Sequence, residues 1–410
     1  MTLIAALTGV AMANAANPKH EVLDTLRSYQ LQDVQVVATR ASKKTPMAFT
    51  NITQEQIKRL NTGRDIPFLL TTMPSVVATS DAGNGMGYTG LRIRGTDASR
   101  INVTANGIPL NDAESSQLYW VNMGDFASSL GSIQVQRGVG TSTNGAGAFG
   151  ATVNMQTENI GLQPWAAFDL AGGSYLSHKE TVRFGTGLMG GHWGIQGRLS
   201  NIGSKGYVDR ASTKLNSYFL QAGYFGENTV VKFITFNGVE QTYHAWDFAS
   251  KYDQEQHGRT YNPSGKMEKD AAGNPQFYKN QNDNYHQQHY QLLWNQLLGT
   301  DWNLNLALHY TKGDGYYEQY KKNHKLALYG LDAAATKARS SLVREKWLDS
   351  YFYGAVASLN YDNKRNFSAT LGEGWNKYSN DHFGRVTWVK KPVDDFMPNH
   401  EYYNNNTKKT

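Results

Sequence analysis

Beyond about residue 160 the chain alternates apolar and polar positions with a period of two. Trp302, Leu304, Leu306, Leu308 and Tyr310 form one face, and Asn303, Asn305, Ala307, His309 and Thr311 form the other. Trp193, Ile195 and Leu199 oppose Gln196, Arg198 and Ser200 in the same way. Tyr351, Tyr353, Ala355, Ala357, Leu359 and Tyr361 oppose Gly354, Ser358 and Asn360. Successive strand side chains point to opposite faces, so each run predicts a strand with one apolar side. Each apolar side is about as long as a tilted membrane strand of roughly 9–11 residues. A soluble sandwich would also alternate, but aromatic residues at both ends of the faces fit the two interfaces of a bilayer better. Short turns fall at Gly190-Gly191, Gly226-Glu227-Asn228, Gly299-Thr300-Asp301 and Asp362-Asn363-Lys364. Long polar loops are expected at Gln241 to Asn284 and Asp314 to Glu345. The pattern predicts nine or ten strands after residue 160.

The first half reads differently. Thr53-Gln54-Glu55-Gln56 has the spacing of a capping box, and Ile57 and Leu60 continue an apolar stripe, which predicts a helix. A second short helix is expected from Asp65 to Leu70, ending before Pro74. Asn106-Gly107 between Ile101–Ala105 and Ile108–Asp112 predicts a hairpin, because a type I′ turn needs two residues at positive φ. The run from Gly145 to Gly150 matches a G-x-G-x-x-G spacing, but Ala151 to Met155 then alternates like a strand and opens no helix, which argues against a dinucleotide site. Residues 81–87 (DAGNGMG) lack the spaced carboxylates of a calcium loop and read as a flexible apical loop.

At the N-terminus Leu3 to Met12 is apolar or small, and Ala13-Asn14-Ala15 supplies a small-x-small cleavage signal. Residues 1–15 are therefore expected to be a signal peptide, although Met1-Thr2 lacks the usual basic residue. The chain has no cysteine, which excludes a lipid anchor on Cys, disulfides and Cys-ligated metals. No stretch approaches 18 consecutive apolar residues, so no transmembrane helix is expected. Aromatic residues make up 12%, Gly counts 40 and Tyr 24, as suits strands wetted on one face only. The net charge of +6 is scattered along an exported chain, so nucleic acid is not an expected partner.

Several ordered motifs carry a resemblance. They are Ile57, Leu60, Asp65 and Leu70 with Pro74-Ser75-Val76; Leu91-Arg92-Ile93-Arg94-Gly95; the Asn106-Gly107 hairpin ending in Ile108-Pro109-Leu110; and Ile133-Gln134-Val135-Gln136-Arg137-Gly138 followed by Gly145 to Met155. Together they resemble the plug domain of TonB-dependent outer-membrane transporters. Ser75, Asn106, Gln134 and Val139 stand where that family more often has Gly, Asp, Glu and Pro. The resemblance implies a mixed fold: a small α/β plug domain followed by antiparallel transmembrane β-barrel strands. About nine or ten strands of about 22 are expected here, so the barrel is incomplete and the chain reads as a fragment. The implied organisation is a periplasmic N-terminal segment over 16–45, a plug over 46–157 and part of a barrel over 160–410. Asp33, Val34, Gln35, Val36, Val37, Ala38 and Thr39 would be the TonB box, an extended peptide that adds to a sheet edge of TonB. Arg92, Arg94, Gly95, Asn106, Gly107, Arg137, Gly138, Gly147 and Gly150 are the plug's structural positions.

The resemblance implies active import through the outer membrane, with TonB, outer-membrane lipids and a small-molecule metal chelate as partners and no cofactor. The 17 residues from Ala16 to Gln32 leave no room for an extra N-terminal domain, which favours an iron–siderophore or haem complex over cobalamin or a glycan. A passive porin or an adhesin scaffold is the rival class. No G-x-S-x-G elbow appears, and no enzyme is expected. His286 and His289, three apart, face opposite sides of a strand and make a poor chelating pair, so no metal site is expected. Candidate ligand contacts are Met86, Tyr88, Gln117, Tyr119 and Trp120 from the plug, with His244, Trp246, Tyr316 and Tyr317 from the long loops.

Overall fold

The computed structural model describes residues 40–41, 47–139, 149–331, 338–391, 393 and 396–409. The expected signal peptide over residues 1–15, the Asp33–Thr39 segment and Gly147 lie outside the described residues. The first half builds a compact α/β unit. Strand β1 (Ala48–Thr53) leads into α1 (Gln54–Leu60), whose start is fixed by the Thr53–Gln56 capping box, and then into α2 (Ile66–Leu70). A two-stranded sheet follows, β2 (Val76–Ser80) with β3 (Thr89–Ile93). Then come β4 (Ile101–Ala105), β5 (Ile108–Pro109), β6 (Leu130–Arg137) and β7 (Ala151–Thr157). With β1 they form a five-stranded sheet of order β1-β6-β7-β4-β5, in which only the β4–β7 pair is parallel. The Gly-rich run thus leads into strand β7, as its alternation predicts, and not into a helix.

The β4–β5 connection is the expected type I′ turn: Asn106 has φ 55° and Gly107 φ 82°. The Asn106 side chain ties this turn to its neighbours. Its Oδ1 accepts from the Thr157 N–H and hydroxyl, each at 3.1 Å, and its Nδ2 donates to Gln291 at 3.0 Å.

The second half is one antiparallel meander of ten strands in chain order. It runs through β8 (Trp165–Gly173), β9 (Ser177–Gly185), β10 (Trp193–Ser204), β11 (Thr213–Phe225), β12 (Thr229–Tyr243), β13 (Asn282–Leu298), β14 (Trp302–Lys325), β15 (Arg339–Asp362), β16 (Ser368–Val389) and β17 (His400–Lys409). Among the described residues β8 and β17 do not pair with each other. The alternation sorts as expected. Trp193, Leu199, Trp302, Leu308 and Tyr310 point outward and are exposed, while Gln196, Arg198, Asn303 and His309 are buried on the inner side. Among the described residues no helix is long and apolar enough to cross a membrane. A β-barrel crosses with strands, so this does not bear on the wall.

Two loop expectations change. Residues 314–345 are mostly strand: β14 runs to Lys325 and β15 begins at Arg339, leaving only residues 326–338 as connection. The segment is polar because it extends past the apolar band, not because it is irregular. Residues 81–87 do not form a free apical loop. Met86 is buried with Ile202 and Leu215 of the wall, the Asn84 amide donates to Ser204 at 2.7 Å, and Gly83 lies against Tyr207.

The plug core and the inner face of the wall form one continuous apolar cluster. Ile133, Val135, Val153, Ile93 and Ala105 pack in the plug, and Phe219, Ile234, Phe236 and Leu293 join them from the wall. Phe126 bridges the two, with ring centroids 4.7 Å from Phe236 and 6.4 Å from Phe219.

Candidate functional site

A cavity of about 440 Å³ lies between the plug and strands β12 to β16, toward the end that carries the long connections. A volume of this size is ordinary for a small-molecule site. The plug contributes Tyr88, residues 109–115, Gln117 to Tyr119 and Asn122. The wall contributes Glu240, Trp246, Asp283, Tyr285, His289, Tyr316, Tyr317, Lys346, Tyr378 and His382, among others. One side is an aromatic cluster. Trp246 meets Tyr88 edge-on at 5.2 Å and Tyr317 at 6.0 Å, and the Lys346 ammonium lies 5.6 Å from the Tyr317 ring. Offset and edge contacts of this kind hold broad, rigid ring faces in place.

The floor is polar. The Tyr88 hydroxyl donates to the Asp283 carboxylate. Burial, together with the charges of Glu240 and Asp283, pushes that hydroxyl well above the usual phenol range. Thr242 pairs with Asp283 across β12 and β13, so Glu240, two residues before Thr242, shares its face with Asp283. The 112–115 loop of the plug is held from the wall: Tyr378 donates to Asp112 at 3.1 Å, and His382 meets Glu114 at 3.0 Å. A molecule in this cavity therefore touches both plug and wall.

The structure brings together six of the expected contacts: Tyr88, Gln117, Tyr119, Trp246, Tyr316 and Tyr317. The other three are not in the cavity. Met86 and Trp120 are core residues, 4% and 3% exposed. His244 is 1% exposed and stacks behind Trp246 at 4.0 Å. Position at the plug apex or in an expected outward loop selected all three, and the fold buries them. Glu240, Asp283, Tyr285 and His289 did not stand out in sequence, although a signal existed. They have the inward parity of β12 and β13, opposite to the exposed Phe233, Val239 and Leu292.

The plug positions serve as scaffold. Arg94 donates to the Arg137 carbonyl at 3.3 Å, and Arg137 donates to Thr50 at 2.7 Å. The Gly138 N–H donates to the Gly150 carbonyl, and the Gly150 N–H to the Arg100 carbonyl, both at 3.0 Å. Gly95 follows Arg94 in a tight turn, and Arg92 is exposed. Gln134, at the position where the resembled family has an acid, exchanges two hydrogen bonds with the Ala41 backbone, 2.8 and 3.0 Å long. Arg40 is bound beside it, to Ser132 at 2.9 Å and to the Asn154 carbonyl at 3.0 Å. Among the described residues no group of His, Asp and Glu is arranged to hold a metal ion.

The plug is fastened to the wall by one buried ionic cluster. Asp125, in the left-handed conformation at φ 49°, accepts from Lys179 at 2.8 Å and from Thr181 and Ser200 at 2.7 Å each. Arg198 lies 3.4 Å away, and Asn61 and Ser128 donate from the plug side. Burial alone would raise the Asp125 carboxyl, but the two cations and these donors hold it well below the usual carboxylate range.

Residues 41–152 match the TonB-dependent receptor plug domain. No curated protein matches the sequence. Among solved structures, FpvA of P. aeruginosa bound to heterologous pyoverdines has 13% identity and a TM-score of 0.64, covering 88% of this chain and 46% of that one. The ferric citrate transporter FecA has 15% identity and a TM-score of 0.63, covering 87% and 51%. BauA, the ferric preacinetobactin receptor from Acinetobacter baumannii, has 14% identity and a TM-score of 0.60, covering 88% and 51%. At these identities the likeness is one of fold, and the chain spans about half the length of the receptors it matches. The chain thus joins a segment that matches a TonB-dependent receptor plug domain to a strand wall that shares the fold of these receptors.

Proposed function

We propose that the chain serves TonB-dependent uptake of a bulky ligand across the outer membrane, most simply an iron–siderophore or haem complex. One observation carries the reading: the aromatic cavity is built jointly by the plug and the wall. A ligand seated there contacts both bodies, so its binding energy can bias how the plug sits against the wall. The same plug binds the root of the N-terminal segment through Arg40 and Ala41. Asp33–Thr39, immediately upstream, is the segment proposed to pair with TonB by strand addition. Neighbours of the same fold support the ligand class, being receptors for ferripyoverdine and ferric preacinetobactin and a transporter of ferric citrate.

The test is deletion of residues 33–39 in the receptor that carries this chain, with radio-iron-loaded chelates as probes. Binding to cells should persist and uptake should stop. Val36→Pro should act in the same direction, since proline removes a backbone donor that strand addition uses. A passive porin would keep its uptake after the deletion, and an adhesin would bind without uptake in either form. Either outcome overturns the proposal.

A further inference from the structure

We infer that the cavity receives a cationic group: its ligand is a chelate bearing an ammonium or guanidinium, not a polyanion. This rests on the uptake reading and adds the charge of the cargo. Four carboxylates line the cavity, and two of them are already occupied. Asp112 accepts from Tyr378 and from the backbone of Ser115, and Glu114 is paired with His382. Asp283 accepts from the Tyr88 hydroxyl and the Asn284 backbone, both neutral donors, and among the described residues no cation pairs with it.

Glu240 is the telling group. It is 4% exposed and lines the cavity. Among the described residues its side chain accepts a single long bond, 3.5 Å from the Thr242 hydroxyl, and no cation lies within ion-pair distance. A buried carboxylate without a partner is costly, and buried charges are as a rule paired. The contrast with Asp125 at the same plug–wall interface is direct, since that acid has two cations and several donors. Asn122 lies beside Glu240: its backbone packs on Gly238, two residues away on the same face of β12, and its Oδ1 has no hydrogen-bond partner among the described residues. The floor thus offers acceptors where a ligand has to bring donors.

The aromatic wall fits the same occupant. Faces of Trp246, Tyr317 and Tyr88 stand around the carboxylates, and an organic cation is attracted both to such faces and to the acids. The lysine of the lining, Lys346, is placed against Tyr317 and does not neutralise Glu240.

The experiment compares two ferric trihydroxamates differing in one group, ferrioxamine B with its free ammonium and its N-acetylated form, and adds ferric citrate as a polyanion. Binding is read by tryptophan fluorescence on the purified receptor containing this chain. The ammonium form should bind about tenfold tighter than the acetylated one, and Glu240→Gln should abolish that preference. Trp246→Phe, which keeps a ring face, should retain most of it, so a preference lost only through misfolding would show in both variants. Equal affinity for the two forms, tighter binding of ferric citrate, or no binding of the ammonium form overturns the inference. Uptake of ferric citrate with residues 33–39 intact would leave the transport reading standing. No uptake of any of the three would remove both.

Discussion

Neutralising Asp125 should loosen the plug without touching the cavity. Asp125→Asn preserves shape but leaves Lys179 and Arg198, with side chains 4% and 2% exposed, facing an amide. Breaking a buried ion pair by removing one partner costs about 3–5 kcal/mol, because the remaining charge is stranded. Two features favour the lower end. Lys179 keeps its bond to Ser128, and Arg198 keeps the Gly124 and Asp125 carbonyls. About 3 kcal/mol corresponds to more than a hundredfold in an opening equilibrium. The assay is hydrogen exchange at the amides of Ile133, Val135 and Val153, which lie in the plug core. Their exchange should accelerate by that factor in Asp125→Asn. Replacing all three charges together, with Asn at 125 and Met at 179 and 198, should recover much of the loss, since no buried charge is then left unpaired. Acceleration of less than tenfold, or equal loss in the single and triple variants, would refute the reasoning. The pH dependence follows in sign. A carboxyl depressed in the folded state stabilises above its unfolded pKa of about 4 and loses that contribution as pH falls through the folded value. The gap between the native protein and Asp125→Asn should therefore be flat from neutral pH to about 5 and close below about 4.

Two further outcomes test the plug–wall contacts. A Cβ on Gly238 would overlap the Asn122 carbonyl, which is backbone and cannot turn aside. Gly238→Ala should displace the plug there and weaken chelate binding at least tenfold, while Gly107→Ala, with nothing within 4 Å of its Cβ, should cost only the backbone strain of about 1–2 kcal/mol. Asn106→Ala removes the acceptor for the Thr157 N–H and hydroxyl and a donor to Gln291, and should cost about 1–3 kcal/mol by denaturant titration.

Local rules made much of the fold legible. Asn106-Gly107 demands a turn that few other pairs can form, and Thr53 with Gln56 fixes a helix start from side-chain chemistry alone. The alternation of β10 and β14 gave both their existence and their facing, because an exposed apolar face on one side and packing on the other leave no ambiguity of parity. The sequence misled where the environment changes along an element. β14 and β15 pass beyond the apolar band, and their polar ends imitate a loop. Phe219, Ile234 and Phe236 are apolar on the inner face because the plug covers them there, which a lipid-facing rule cannot anticipate. The cavity was harder still. Its residues come from the plug, from five strands and from the β12–β13 connection, and only packing of the sheet against the plug brings Tyr88 to Asp283, 195 positions apart.

Asp125 and Glu240 separate what holds this molecule together from what it holds. Both are carboxylates buried between plug and wall, and burial by itself opposes the charge of each. At Asp125 the wall answers with Lys179, Arg198, Thr181 and Ser200, and the plug with Asn61 and Ser128, so the acid is complete without any ligand. At Glu240 no cation pairs with the acid among the described residues, yet the side chain faces a cavity ringed by aromatic residues. A purely structural acid left this way would be replaced by an apolar residue with a gain in stability. Glu240→Leu should accordingly raise the denaturation midpoint of the receptor while abolishing binding of the ammonium-bearing chelate. A Glu240→Leu variant that is less stable than the native protein would mean that the carboxylate is satisfied within the fold.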